Sequence, residues 1–238
     1  MLDAVSTVIE TNPSVTDVYL RHGQKFGSAL DKTEVKRRFK AARRKLFAVD
    51  TSANDQIEGE LVSSDVIERD LWRGFIDFVF DDVADSDGLF GELWDFFAVA
   101  ENWRVYSDVA ECLSQLKQQG HYLAIASNFD SRLIPIVDDF EELSALDDVF
   151  CSASLGFRKP APAFYRQVLQ KVGLTLGTKL TGDDIIFVGD CVENDFHGPR
   201  RMGWSAFWLD RKGEPGVELN CPDSCRIESL SQLPAAIG

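Results

Sequence analysis

Four short stretches of the 238-residue chain concentrate side chains capable of chemistry: Asp3-Ala4-Val5-Ser6-Thr7, Ser127-Asn128, Arg158-Lys159-Pro160, and Gly189-Asp190 through Asn194-Asp195. Carboxylates supply nucleophiles and oxygen ligands for hard cations, while a hydroxyl, an amide and a lysine hydrogen-bond or neutralise an anion. Each stretch also has an ordinary explanation. Asp190 and Asp195 could cap a helix and complement its dipole, Ser127 alone is a loop residue, and Lys159-Pro160 alone marks a helix start. Only a fold that gathers the four stretches would make them a site.

The elements around them predict such a fold. From Ser14 to about Ala100 the apolar residues recur at helical intervals, as at Val35, Phe39, Ala42 and Leu46, and no proline follows Pro13, so this segment reads as all helix. After Trp103, helices and short apolar strands alternate. A helix through Val105, Val109, Cys112 and Leu116 is expected to end at Gly120, and strands are expected near 122–126, 149–153, 185–188 and 206–209. Helices fill the intervals at 163–172, closed by Gly173, and at 193–202. Short buried strands separated by helices imply an α/β fold with a doubly wound parallel sheet. Ligands bind such sheets beyond the carboxyl ends of the strands, where the four stretches fall. Met1 to Val5 reads as a first strand whose continuation is interrupted by the helical segment. The expected organisation is therefore a core of residues 1–12 and 101–238 with an inserted helical cap of residues 13–100.

The formal charge of −14 argues against general binding to nucleic acid or to an anionic membrane. No run of about 18 apolar residues exists to span a bilayer, and the start Met1-Leu2-Asp3-Ala4 lacks the character of a signal peptide, so a cytoplasmic protein is expected. Five scattered cysteines fit reduced thiols, and Cys221 and Cys225, without a second ligand pair, read as part of a loop. His22 and His197 read as surface or packing residues of helices, and His121 merely precedes a strand.

The stretches ASNFDSRL at 126–133, RKPAPAF at 158–164 and GDCVEND at 189–195, with Gly198, Gly203 and Asp3 to Thr7, resemble the four motifs of the haloacid dehalogenase-like hydrolase superfamily. Within it they look like the hydrolase-domain-containing subgroup, and the likeness spans the chain. The resemblance implies a Rossmann-like core with a helical cap and phosphoryl transfer through a covalent aspartyl intermediate, with positive charge offsetting the crowded anions. Asp3 matches the nucleophile. Asp3, the backbone oxygen of Val5 and Asp190 match the ligands of a divalent ion, magnesium (Mg2+). Ser127 would donate to a phosphoryl oxygen with Asn128 beside it, and Lys159 would neutralise the nucleophile and the transferring group. Thr7 closes the first motif, fixing its turn within the phosphate-binding set, while Asp195 would orient Lys159 or support the metal, with Asn194 next to it. The implied partner is a small phosphorylated metabolite or a related substrate with a good leaving group.

The sequence departs from the family pattern at one decisive place. The phosphatase form of the first motif is Asp-x-Asp-x-Thr, but Val5 stands where the second aspartate, the general acid and base, would be. Three outcomes follow: a hydrolase limited to good leaving groups, a non-catalytic phosphate-binding or regulatory protein, or dehalogenase or phosphonatase chemistry. The last would use a cap lysine, with Lys25, Lys32, Lys36, Lys40 and Lys45 as candidates. Ser6 replaces the usual glycine, which should restrict the turn. Only Met1 and Leu2 precede Asp3, so the strand end should fray, and an upstream start supplying apolar residues is expected. The cap also carries Lys32, Lys36, Arg37, Arg38, Lys40, Arg43, Arg44 and Lys45 against Glu34 alone, a local +7 that leaves −21 on the remainder. A solvated helix face explains this run, and an electrostatic guide for phosphorylated substrates is the alternative. The aromatic stretch from Leu71 to Phe80 is expected to be cap core.

Overall fold

The computed structural model describes residues 1–47, 61–211, 213 and 222–237. Three large hydrophobic clusters organise the described residues. One gathers Val18, Tyr19, Val35, Phe75, Val79, Phe90 and Leu93, which recur at helical spacing on α1 (Val15–Lys25), α2 (Lys32–Phe47), α3 (Asp65–Val79) and α4 (Ser86–Phe96). Ser14, Ser64 and Asp85 start three of these helices by accepting a backbone N–H of the first turn. The expected cap core is present: Phe75 stands among the rings of Tyr19, Phe39, Phe47 and Trp72.

The chain enters and leaves this helical cap through an antiparallel pair, β1 (Ile9–Thr11) and β2 (Trp103–Val105). This corrects the sequence reading, which placed Val105 on a helix; α5 begins only at Val109 and ends at Gln118. The main sheet holds β3 (Ala124–Ser127), β4 (Asp148–Cys151), β5 (Ile186–Gly189), β6 (Ser205–Leu209) and β7 (Arg226–Ile227), with parallel pairs β3–β4, β5–β6 and β6–β7. β3 is buried along its whole length, as a strand covered on both faces must be. Leu2 bridges Ile125 on one side and Val188 on the other, so the amino-terminal segment lies between β3 and β5, in the middle of the sheet.

That central position corrects the expectation of a frayed end. Leu2 N–H donates to Ala124 O at 2.9 Å, Leu2 O accepts from Ala126 N–H at 2.8 Å, and Asp3 N–H donates to Val188 O at 2.8 Å. A short strand gripped from both sides needs no length of its own. Beyond Asp3 the chain does not continue as strand: Ala4 O accepts the N–H groups of Val8 and Ile9 in a tight turn. Ser6 takes φ 66° there, so the left-handed turn is kept without glycine, at a cost of about 1–2 kcal/mol. Gly173 does not close its helix, which runs Pro162–Leu176 and ends on left-handed Gly177.

The carboxyl-terminal part is fastened to the first motif by a network with no local signature. Arg211 donates to both oxygens of Asp108 at 2.8 and 2.9 Å and to Thr7 O at 2.7 Å, while Asp108 also accepts from Ser229 Oγ and Leu230 N–H. Burial works against charge on Asp108, but the Arg211 and Ser229 hydrogen bonds outweigh it and hold the carboxyl below its usual value. A carboxyl depressed in the folded state stabilises it fully above the unfolded value of about 4, and that contribution disappears as pH falls through the folded pKa. Asp108→Asn is therefore expected to cost about 2 kcal/mol at pH 7, and its melting curve should converge with that of the wild type on acidification. A gap that persists undiminished at pH 3 would refute this assignment.

Candidate active site

Four segments meet over the middle of the sheet: Asp3 to Thr7, Ser127-Asn128, Arg158 to Pro160, and Gly189 to Asp195. Lys159, 3% exposed, donates from Nζ to Asp3 Oδ1 at 2.6 Å, to Asp195 Oδ1 at 2.7 Å and to Ala126 O at 3.0 Å. Burial opposes charge on this ammonium, but Asp195 and Asp3 outweigh it and raise its pKa above the usual lysine value. Lys159 does not follow β4 directly, as its place in the sequence suggested. A helical turn (Ser152–Leu155) and left-handed Gly156 intervene, and Lys159 then precedes a cis peptide to Pro160. The Asn128 side chain fixes its backbone, accepting Lys159 N–H at 2.7 Å and donating to Lys159 O at 2.9 Å. The carboxamide that the sequence suggested for a phosphate is thus occupied in positioning the lysine.

Asp195 lies in a π-helical turn, Val192–His197, where an ordinary helix was expected. Its Oδ2 accepts Cys191 N–H at 2.9 Å, and the carboxylate packs so closely on Gly189 that a Cβ there would lie 2.3 Å from Oδ2. Only glycine permits this approach at the end of β5. Asn194 contributes its backbone: Asn194 O accepts the Tyr165 hydroxyl at 2.6 Å. Asp190 is anchored by Trp208 Nε1 donating to its backbone oxygen at 3.0 Å. Its carboxylate has no hydrogen-bond partner among the described residues. Burial, then Asp3 and Asp195, push it up to about 7, against the opposing charges of Arg43 and Lys159. Carboxylate oxygens of Asp3, Asp190 and Asp195 lie within 4.8 Å of one another.

Ser127 ends β3, buried, with its hydroxyl free of any side-chain hydrogen bond among the described residues. Thr7 is buried in the first turn, its Oγ1 without a partner among the described residues. Val5 is half-buried, bridges Ile9 through its backbone and packs its side chain on the main core. The candidate cap lysines divide: Lys25 is paired with Glu92 at 2.5 Å, Lys32 with Asp17 at 2.6 Å, and Lys45 lies over Phe78. Of the clustered cysteines, Cys221 lies outside the described residues and Cys225 is a free thiol.

The sequence reading missed the contacts between cap and core. Val62 bridges Phe157, Arg158 N–H donates to Leu61 O and Ser63 N–H to Gly156 O, both at 2.9 Å. Beneath them Glu68, 1% exposed, accepts from the hydroxyls of Ser63 at 2.6 Å and Ser152 at 3.2 Å and faces Arg158 at 3.4 Å. The only local signal was an acid at a helical position otherwise suited to the core.

A buried lysine thus stands between two aspartates, with a third carboxylate beside them, on a doubly wound sheet, and comparison supplies the family. The haloacid dehalogenase-like hydrolase family model matches residues 1–203, and the chain belongs to that family. It is 26% identical to the haloacid dehalogenase-like hydrolase domain-containing protein 3 of Danio rerio, over 99% of this chain and 94% of that one. In structure it resembles the magnesium-bound HAD-hydrolase YfnB of Bacillus subtilis, with TM-score 0.73 and 18% identity over 100% of this chain and 96% of that one. It also resembles the L-2-haloacid dehalogenase of Xanthobacter autotrophicus with covalently bound chloropropionic acid, with TM-score 0.69 and 16% identity over 99% and 96%. Among the described residues no helix is long and apolar enough to cross a membrane.

Proposed function

We propose that this chain is a magnesium-dependent hydrolase with Asp3 as nucleophile, acting on a small phosphorylated metabolite or a related substrate with a good leaving group. The observation that carries this reading is the Lys159 ammonium, 2.6 Å from Asp3 and 2.7 Å from Asp195, with the Asp190 carboxylate beside them and unpartnered among the described residues. The donor set suits a hard divalent cation: it is all oxygen, and Asp190 is under repulsion that a cation would relieve. Asp3, Asp190 and the backbone oxygen of Val5 would hold the ion, and when bound it supplies charge neutralisation between nucleophile and phosphate. The Bacillus neighbour binds magnesium and the Xanthobacter enzyme carries its substrate covalently, the two components that this reading combines.

The chain's own residues account for the remaining work. A carboxylate oxygen of Asp3 attacks phosphorus, the bond to the leaving oxygen breaks, and water then hydrolyses the acyl phosphate. Lys159 offsets charge on Asp3 and the transferring group, Asp195 and Asn128 hold Lys159 in place, and the Ser127 hydroxyl donates to a phosphoryl oxygen. Val5 offers the leaving oxygen no proton, which favours groups that depart as stable anions. Its side chain, settled on the core, equally suits a second reading: a non-catalytic binder of phosphorylated ligands.

Turnover assays over phosphate esters, acyl phosphates, phosphonates and haloacids, with and without magnesium, separate these readings. Magnesium-dependent release of phosphate is expected; haloacid turnover without metal would replace this reading with dehalogenation, and binding without turnover would favour the second. The metal site has its own check by calorimetry. Asp190→Asn should weaken magnesium binding by about 100-fold, the upper end of what loss of even an outer partner costs. Unchanged affinity would remove Asp190 from the site.

A further inference from the structure

The basic residues of α2 are not equivalent. Lys32 is paired with Asp17 at 2.6 Å, Arg37 and Arg38 with Glu34 at 2.6 and 2.8 Å, and the Lys45 ammonium lies 4.9 Å from the centre of the Phe78 ring. Lys36, Lys40 and Arg43 are exposed and have no ion-pair partner among the described residues. Positions 36, 40, 43 and 47 of a helix fall on one face, so these three cations form a stripe that ends at Phe47; Arg44, also exposed, sits at its margin. The Phe47 end of the stripe meets the catalytic loop. The Arg158 guanidinium is 4.6 Å from the centre of the Phe47 ring, and the next residue, Lys159, holds Asp3.

Outside residues 32–45 the chain carries −21, so most of the molecule repels anions while this stripe leads them to the site. A lone phosphate needs no such stripe, because Lys159 and a cation at Asp190 already serve it. We propose that Arg43, backed by Lys40 and Lys36, binds a second anionic group on the substrate, so that the substrates are phosphate esters whose alcohol portion carries its own carboxylate or phosphate. This rests on the hydrolase reading above and names its substrate class.

Glycerol phosphate and phosphoglycerate share a phosphate monoester and differ by one carboxylate. With the full chain and magnesium, Arg43→Gln should raise the KM of phosphoglycerate relative to that of glycerol phosphate by about tenfold, the worth of one charge-assisted hydrogen bond. Arg37→Gln removes the same charge from the same helix off the stripe and should leave that ratio unaltered. An unaltered ratio in Arg43→Gln, or an equal rise in Arg37→Gln, overturns the proposal. If wild-type protein hydrolyses neither ester, as the lack of a proton donor at Val5 permits for alkoxide leaving groups, the turnover assays above still decide the hydrolase reading, and calorimetric Kd values for the same two esters decide the stripe. A tenfold change in their ratio sustains it there; equal loss of both, or no binding of either, overturns it.

Discussion

Lys159→Met is expected to lower the melting temperature by about 10 °C at pH 8 and turnover by about 10³-fold. The side chain is 3% exposed and Asp195 is fully buried, so removing the ammonium leaves two carboxylates facing each other without a counter-charge. Breaking a buried pair in this way costs about 3–5 kcal/mol, more than the intact pair contributes over an apolar replacement. Methionine keeps nearly the same volume, so the effect reads the lost charge, including the ammonium's place over the Phe164 and Phe187 rings, rather than a cavity. The pH dependence carries the diagnosis. Burial already raises the Asp195 carboxyl to about 6 against the opposing charge of Lys159; without the lysine it rises further, and such a group supports the fold while protonated and ceases to do so as pH rises through the raised pKa. The stability gap should therefore be widest at pH 8 and narrow toward pH 5, and magnesium should recover part of it. Equal melting temperatures at pH 8 would mean that the triad is not charged as described.

Val5→Asp should act in the opposite sense, raising turnover of phosphate esters with poor leaving groups by about 10²-fold. The backbone already takes the turn that family members make with glycine, through Ser6 at φ 66°, and Asp3, Lys159 and Ser127 are in place. What is absent is a group able to protonate the departing oxygen. A sugar alkoxide needs that proton and p-nitrophenolate hardly does, so the gain should be concentrated on the former. Seating a carboxylate where Val5 packs on the core should cost about 1–2 kcal/mol, measurable as a modest fall in melting temperature. An equal gain, or none, for both esters in a folded, metal-binding variant would show that proton transfer at this position does not limit the reaction.

The positions of Ser127 and Asp190 in the fold were legible because each falls at the end of a short apolar run, and buried parallel strands announce themselves by composition alone. The hairpin was not legible: Val105 lies four residues before Val109 and mimics the helical stripe, and only pairing with Ile9 makes it strand. The π-turn at Val192–His197 was hidden for a similar reason, since its cause is the Asp195 carboxylate folding back to Cys191 N–H, a tertiary demand that propensity does not register. Glu68 and Arg158 stand 90 positions apart and meet only in the folded chain. The two-residue central strand misled in the other direction, because strand length was weighed without the neighbours that grip it.

The pairing of residues 61–63 with 156–158 makes two parts of the molecule mechanically one. Lifting the cap pulls on Gly156 and Arg158 through their backbone bonds to Ser63 and Leu61, and Lys159 is the next link in that chain. Any displacement of residues 61–63 against the core is therefore transmitted along the backbone to the ammonium that pairs with Asp3, so cap position and the Asp3–Lys159 contact form a single lever rather than two independent settings.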